Sequence, residues 1–267
     1  MPAMTSDDPA MTNSNEAETE TDAAFAPLAL DALAMLERKI ITREFAPGTR
    51  LIEADLCEFY KISRTPLREA LRLLEANGLV TRRPRFGVHV APMTVENLDH
   101  IYSCRVPLEA LAAGAVAGAP ARTATVARLA ACLERMEQAQ AQHDLAAGFQ
   151  ANVEMTGILH RESGNPVLTA LLAQLDKPAL RYRHWAYMEQ QKMLPLAIRS
   201  NRQMLAAIRA GDPVRAEAVV RDLVARAWAM TRKAFLARPD RADPPARLQL
   251  HEGAPKRGPG RPRATPI

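Results

Sequence analysis

The chain has 267 residues and a formal net charge of +5 at neutral pH, with 35 lysines and arginines against 30 aspartates and glutamates. It is 48% hydrophobic but only 4% aromatic, which favours packed helices over sheets. No apolar run is long enough to span a membrane, and no segment is typical of a secretion signal. We therefore expect a cytoplasmic protein without a membrane partner, and the basic excess favours a polyanion partner where it is concentrated.

The beginning of the chain is acidic and poor in large apolar side chains. Residues 1–36 contain several aspartates and glutamates but no lysine or arginine. Such a segment buries too little apolar surface to offset the entropy lost on ordering, so we expect residues 1–25 to be disordered.

Two short helices and a turn come next. Apolar residues recur with helical spacing over residues 28–45, and Ala46-Pro47-Gly48 ends this helix with turn chemistry. A second short helix is predicted at residues 53–60, and residues 60–62 form the turn that follows it.

A third helix, which begins near Ser63, has two distinct sides. Ser63 is a candidate N-cap, and Pro66 lies in the first turn, where a missing N–H costs little. One side is apolar and the other basic, formed by Leu67, Leu71 and Leu74 and by Arg64, Arg68 and Arg72, respectively. Such a helix suits insertion into a DNA major groove, and the alternative is a surface helix with solvated arginines.

Two short strands, at residues 79–81 and 88–91, follow this helix, and the basic segment 82–87 joins them. The order of helix, helix, turn, helix and basic hairpin predicts a winged helix-turn-helix at residues 26–92.

The rest of the fold is predicted to be all-α, so the protein is mainly α as a whole. Residues 93–236 indicate an antiparallel bundle of about six helices, at 95–117, 121–142, 144–163, 166–190, 195–210 and 213–236. Asn165 and Asp212 each precede a proline, a pattern in which the first residue caps a helix and proline takes its first position.

Several motifs resemble the GntR family of bacterial transcription regulators. They are residues 47–51 (Pro-Gly-Thr-Arg-Leu), 63–71 (Ser-Arg-Thr-Pro-Leu-Arg-Glu-Ala-Leu), 78–80 (Gly-Leu-Val) and 86–87 (Phe-Gly). Residues 102–109 (Tyr-Ser-Cys-Arg-Val-Pro-Leu-Glu) resemble the start of the FCD-type effector domain of the FadR subgroup. The resemblance covers roughly residues 28–236. It implies a homodimer that binds a palindromic double-stranded DNA operator and responds to a small-molecule effector.

The resemblance implies that the third helix enters the major groove and that the hairpin, or wing, lies near the minor groove. The candidate DNA-binding residues are Arg50, Ser63, Arg64, Thr65, Arg68, Arg83, Arg85 and Gly87. Arg64 and Arg68 are candidates for guanine edges or phosphates, and Thr65 for a phosphate or a thymine methyl group.

FCD-type domains commonly hold a divalent metal with an aspartate, a histidine four residues later and two further histidines. When the chain is aligned on residues 163–165 (Ser-Gly-Asn), these positions hold Asn152, Thr156, Asn201 and Leu223. None of them is a carboxylate or an imidazole, and His160 stands alone. We therefore predict a pocket without a metal or another cofactor.

The predicted effector-binding residues are Asn152, Thr156, Asn201 and Arg105, which in the family often faces the cavity. A guanidinium group pairs bidentately with a carboxylate, so we expect a small organic acid as the effector. The alternative for Arg105 is a pair with Glu109 within its own helix. Residues 181–185 (Arg-Tyr-Arg-His-Trp) either line the pocket or form the edge of an amphipathic helix, and we favour the edge.

The sequence thus predicts a ligand-responsive transcription regulator and not an enzyme, since no nucleophile with a base, phosphate loop or metal set is recognisable. One alternative is an architectural DNA-binding protein without an effector. A less favoured one is a helical-bundle enzyme with a nucleic-acid-binding head.

The end of the chain, residues 237–267, is rich in proline, arginine and glycine and is expected to be disordered. Residues 260–262 (Gly-Arg-Pro) resemble the core of an AT-hook, which lies in the minor groove of A·T tracts. Pro259 stands where an AT-hook usually has a second arginine. The alternative is a basic tail that adds only non-specific attraction to DNA.

Overall fold

The computed structural model describes residues 29–237, so the predictions for residues 1–25, for the tail and for its AT-hook core fall outside the described residues. The predicted fold class is confirmed, since a small head of helices and antiparallel strands precedes an all-α bundle. In chain order the elements are α1 (29–41), β1 (Arg50–Leu51), α2 (Glu53–Tyr60), α3 (Arg64–Ala76), β2 (Val80–Arg83), β3 (Gly87–Val90), α4 (Val95–Gly118), α5 (Thr123–Ala141), α6 (Leu145–Arg161), α7 (Pro166–Glu189), α8 (Met193–Ala210) and α9 (Pro213–Ala237).

The head folds around the apolar side of α3. Leu67, Leu71 and Leu74 are completely buried there, as the spacing of the leucines predicts. They share one hydrophobic cluster with Leu36 of α1 and Val90 of β3. The same burial turns the arginines of α3 away from the core, so packing of the head decides which side of α3 meets solvent.

The head also contains a strand that the sequence did not predict. Strand β1 pairs antiparallel with β3, with Arg50 opposite His89, and the strand order is β1-β3-β2. Two residues directly after a turn are too few to show the alternation that marks a strand. The consequence is that Arg50 becomes part of the wing sheet.

Two predicted helix ends differ from the structure. Helix α1 stops at residue 41 because Arg43 adopts a left-handed conformation (φ 65°), and the turn carries Phe45 into the head core. The backbone of Ser63 has the extended conformation of an N-cap, but its side chain makes no capping hydrogen bond, so the predicted cap is wrong in that respect. The hydroxyl of this exposed serine is therefore left available for another partner.

The bundle helices begin and end within two residues of the predicted positions. The side chains of Thr94, Asp144 and Asn165 cap α4, α6 and α7 by accepting backbone N–H groups three residues ahead. Pro166 and Pro213 occupy the first positions of α7 and α9. Within residues 29–237, no helix has the length and apolarity that a bilayer crossing requires.

Helix α7 joins the bundle to the head, although each has its own hydrophobic cluster. Lys177 forms an ion pair with Glu37 of α1. The Nη2 of Arg181 donates to the carbonyl of Ala91, just after β3, at 2.7 Å. The hydroxyl of Tyr182 exchanges hydrogen bonds of 3.0 Å with the backbone N–H and carbonyl of Thr94.

We expect Leu71→Ala to lower the free energy of unfolding of the head by roughly 2–5 kcal/mol, because it leaves a cavity in a fully packed cluster. Arg72→Ala on the same helix is the control. The Arg72 side chain is 75% exposed, and its loss should change stability by less than about 0.5 kcal/mol. Urea unfolding followed by circular dichroism measures both, and equal effects would contradict the packing described.

Candidate functional site

The N-terminal part of α3 presents a polar and basic surface to solvent. Ser63, Arg64 and Thr65 are exposed there, while Pro66 and Leu67 anchor the helix to the core. Three of the predicted DNA-binding residues are thus exposed at the start of α3.

Arg68 lies on the next turn and is held by an ion pair. Its Nε is 2.8 Å from Oε2 of Glu53 in α2, and its side chain is 60% exposed. The pair fixes the direction of the guanidinium group but leaves it accessible. An exposed pair of this kind is weak and can exchange for a phosphate or a base edge.

The wing places a second basic group next to β1. Arg85 adopts a left-handed conformation (φ 66°) at the tip, and the N–H of Phe86 donates to the carbonyl of Arg83 at 3.0 Å. Gly87 has a φ of 86°, and a Cβ added there would lie 3.6 Å from Nε of Arg50. The structure therefore brings Arg50, Arg83, Arg85 and Gly87 into one small region, as a DNA-binding wing requires.

Phe86 is a feature of the wing that the sequence did not single out as a site residue. Its side chain is 66% exposed between Arg85 and Gly87. The ring therefore lies at the tip of the basic hairpin, where solvent can reach it. The sequence feature that could have identified Phe86 as an exposed residue is its position in the turn of a predicted basic hairpin.

A second site is a cavity inside the bundle, with a volume of about 70 Å³. Helices α4, α6, α7, α8 and α9 all contribute to its wall. The residues named from the sequence for this region all line it, namely Arg105, Asn152, Thr156, Asn201 and Leu223. The structure thus assembles on one cavity residues that are up to 118 positions apart in the chain.

Arg105 is 2% exposed, and its charge is balanced inside the bundle. Its Nε donates to Oε1 of Glu109 at 2.7 Å, its Nη2 donates to the same oxygen, and Asp176 lies 3.5 Å from Nη2. Burial would lower the pKa of Arg105, but Glu109 and Asp176 raise it above its ordinary value. The geometry agrees with both predictions for Arg105, since its side chain lines the cavity and also pairs with Glu109.

Asp176, which lies near Arg105, also contacts His160, and neither residue lines the cavity. Nδ1 of the buried His160 is 3.2 Å from Oδ2 of Asp176. Burial would raise the pKa of Asp176, but the hydrogen bond from His160 and the charge of Arg105 lower it. His160 is therefore a buried histidine with a carboxylate partner and does not line the cavity.

Arg183 lines the cavity, whereas the sequence pattern favoured a position for it on the edge of an amphipathic helix. Residues 181–185 were interpreted as an amphipathic edge, but Arg181, Tyr182 and Trp185 are buried, and Arg183 lines the cavity. Its Nη2 donates to Oδ1 of Asn152 at 2.8 Å and to Oγ1 of Thr156 at 3.1 Å. Residues 181–185 do not form an exposed helix edge, because the head covers this part of α7 on one side and the other bundle helices cover it on the other.

The residues at the expected metal positions do not fit a divalent cation. Asn152 and Thr156 supply one amide oxygen and one hydroxyl, and both already accept from the positively charged Arg183. The amide nitrogen of Asn201 approaches Sδ of Met136 at 3.7 Å, and Leu223 has no ligand atom. Within residues 29–237, no three histidine, cysteine, aspartate or glutamate side chains come together in a metal-binding group.

The remaining wall is aromatic or apolar. Tyr187 packs edge-on against Phe149 at 5.3 Å between ring centroids, and burial raises the pKa of its hydroxyl. Met155, Met193 and Met204 supply flexible apolar surface. The cavity thus combines an apolar wall with two guanidinium groups, those of Arg105 and Arg183, and one carboxylate, that of Glu109.

Comparisons with known proteins agree with this architecture. The family model "Bacterial regulatory proteins, gntR family" matches residues 28–90, and the FCD domain model matches residues 100–226. The HTH-type transcriptional regulator McbR of Escherichia coli K12 is 30% identical over 181 residues, which are 66% of this chain and 80% of McbR. The uncharacterized regulator YdhC of Bacillus subtilis 168 is 40% identical over 86 residues, and the chain spans only 38% of its length.

A solved structure of E. coli McbR/YncC superposes with a TM-score of 0.67 at 24% identity, covering 78% of this chain and 98% of that one. This likeness extends the agreement in fold across head and bundle together. The chain belongs to the GntR family of bacterial regulatory proteins and carries an FCD domain behind its winged helix-turn-helix head.

Proposed function

We propose that the protein is a ligand-responsive bacterial transcription regulator that binds a palindromic DNA operator as a homodimer and acts in the cytoplasm. A small organic acid in the bundle cavity changes its affinity for DNA. The observation that carries the proposal is that α7 contacts both the cavity and the end of the head. Arg183 lines the cavity, the neighbouring Arg181 is bonded to Ala91 after β3, and Tyr182 is bonded to Thr94, which caps α4.

DNA binding rests on the exposed basic surface of α3 and the wing. Arg64 and Thr65 enter the major groove together with Arg68, which exchanges Glu53 for DNA. Arg83 and Arg85 of the wing, with Arg50 beside Gly87, contact the adjacent backbone or minor groove. The exposed hydroxyl of Ser63 is placed to bond a phosphate.

The response to ligand follows from the contacts of α7. A ligand that binds Arg183 shifts α7 or fixes one of its positions, and Arg181 and Tyr182 carry this preference to residues 91 and 94, which connect the head to α4. Coupling requires only that the ligand bind one arrangement of head and bundle more tightly than the other.

A homodimer formed by the bundle places two heads on two half-sites related by a two-fold axis. The bundle keeps several large apolar side chains exposed that a partner can cover, namely Leu111, Val167, Leu171, Val214 and Leu236. Val214 is 80% exposed, and Val167 and Leu171 lie one turn apart on α7. Such residues favour an interface on the bundle.

The alternative of an architectural DNA-binding protein gives no role to the cavity. A buried space lined by two arginines is costly to maintain, and a protein that only bends or coats DNA does not need it. An enzymatic function is disfavoured because the cavity holds no nucleophile beside a base among the described residues.

We expect Arg64→Ala to weaken binding to the preferred duplex by roughly 1–3 kcal/mol and to relax sequence preference at one position of each half-site. Selection from random duplexes gives the preferred site, and fluorescence anisotropy at fixed salt gives the affinity. Arg209→Ala, which removes an exposed arginine from the bundle, is the control for net charge. Equal losses in the two variants would show that Arg64 contributes charge alone.

The full chain should have twice the monomer mass in light scattering at micromolar concentration. Phe86→Glu, at the exposed tip of the wing, should leave this mass unchanged, because the dimer forms through the bundle. A monomeric wild type, or a monomeric Phe86→Glu variant, would refute this arrangement.

Tyr182→Phe should uncouple the two sites, because it removes both hydrogen bonds to Thr94 and retains the ring in its buried position. In the wild type, the best ligand among acetate, succinate and citrate should change DNA affinity by roughly 5–150-fold. In the variant this ratio should be smaller than in the wild type, because only Arg181 still links α7 to the end of the head, while calorimetry shows that the ligand still binds. Retention of the full ratio would mean that α7 does not carry the response through Tyr182.

A further inference from the structure

We propose that the guanidinium group of Arg183 takes the place of the divalent metal of FCD-type domains and binds the anionic group of the effector directly. The site would then recognise a small carboxylate without a metal. This inference rests on the proposed function, in which the cavity receives an organic acid, and it identifies the group that receives it.

The position of Arg183 is the first support. Asn152 and Thr156 stand at the two expected metal positions on α6, one helical turn apart, so their side chains lie on the same side of the helix. Nη2 of Arg183 is 2.8 Å from the first and 3.1 Å from the second. The guanidinium group therefore occupies the space that a metal held by these two side chains would need.

The partners of Arg183 are the second support. They are a neutral amide oxygen and a neutral hydroxyl, and within residues 29–237 no carboxylate lies within 4 Å of this guanidinium group. Arg105, by contrast, is paired with Glu109 and lies near Asp176. Asp176 is close enough for the charge of Arg183 to contribute to its lowered pKa, but it contacts Arg105 and His160. Of the two cavity arginines, Arg183 is the one whose charge is available to a ligand.

The third support is a set of hydrogen-bond donors without acceptors. Nη1 of Arg105 is buried and has no partner in the described part of the chain. Nε and Nη1 of Arg183 also donate no hydrogen bond to residues 29–237, although this side chain is only half-buried and its nitrogen atoms are not among the fully buried donors. A buried donor without an acceptor costs free energy, and a carboxylate has two oxygens that can satisfy donors from both arginines.

The size of the space limits the ligand. A cavity of about 70 Å³ has room for several water molecules and so for an acid with only a few carbon atoms. Arg183 holds the carboxylate, and the methionine and tyrosine side chains contact the rest of the molecule. Asn152 and Thr156 act as positioning residues, since they bind Arg183.

The experiment measures the melting temperature of the full chain after passage over a chelating resin, in sodium chloride and in sodium acetate, succinate or citrate of equal ionic strength. At least one of the three acids, at about 10 mM, should raise the melting temperature of the wild type by about 2–4 °C. Calorimetry should show that Arg183→Met weakens binding of that acid roughly tenfold or more.

Two further variants separate charge from fold. Arg183→Lys keeps the positive charge but loses the planar fork, so it should give a smaller rise than the wild type. Arg199→Met removes an exposed arginine from α8 and should keep the whole rise. Arg183→Met should melt within a few degrees of the wild type in chloride, because the loss of the hydrogen bonds to Asn152 and Thr156 is offset by removal of a guanidinium group that lacks a carboxylate partner.

Three results would overturn the inference: no rise with any of the three acids, the same rise in Arg183→Met as in the wild type, or a rise that requires added Zn²⁺. DNA affinity distinguishes this failure from that of the proposed function. A rise that depends on Arg183 but leaves DNA affinity unchanged supports the site and refutes the effector response. Control of DNA affinity by a neutral compound, with no binding of the acids, refutes the site and the acidic effector but leaves the ligand-responsive regulator standing.

Discussion

The charge on a buried guanidinium group must be balanced nearby, and in this protein Arg105 imposes that requirement on the bundle. Glu109, one turn further along α4, and Asp176 on α7 satisfy it. Burial removes water from both Glu109 and Arg105, and the hydrogen bonds between them offset that penalty, whereas removal of either partner would leave an unbalanced charge in the core. The contact with Asp176 also ties α4 to α7.

The pairing of Arg105 with Glu109 and Asp176 determines which kind of ligand the rest of the cavity can bind. With both nearby carboxylates directed at Arg105 and His160, the cavity offers donors in excess of acceptors. Among the other oxygen atoms on the cavity wall, those of Asn152 and Thr156 are neutral and already bind Arg183. A cation would meet two arginines in this space, whereas an anion would find donors that the protein itself leaves unsatisfied.

The head was largely predictable from the sequence because its signals are local. The leucine spacing of α3 and the basic segment between two short strands each lie within a few residues, and the structure shows α3 and the wing at these positions. Strand β1 was missed because two residues carry no pattern, and the side chain of Ser63 did not cap because capping depends on a rotamer that sequence does not specify.

The cavity was predictable only in part. Alignment on a short motif identified positions that line one space, because helical periodicity preserves the inward side of each helix. Arg183 was missed for a different reason. Its neighbours Arg181 and Tyr182 look like surface residues in the sequence, and only the packing of α7 between the head and the other bundle helices buries them. Burial of a polar residue by a distant element has no local signature.

Pro178 lies inside α7 and gives this helix an uneven stiffness. Proline has no N–H to donate to the carbonyl four residues earlier, so the helix bends most easily there. Lys177, which pairs with Glu37, precedes this soft point, whereas Arg181, Tyr182 and Arg183 all follow it on one unbroken stretch. At about 1.5 Å of rise per residue, these three side chains are separated by less than one turn. A small rotation of this stretch about its own axis would therefore move the cavity wall and the junction with the head together.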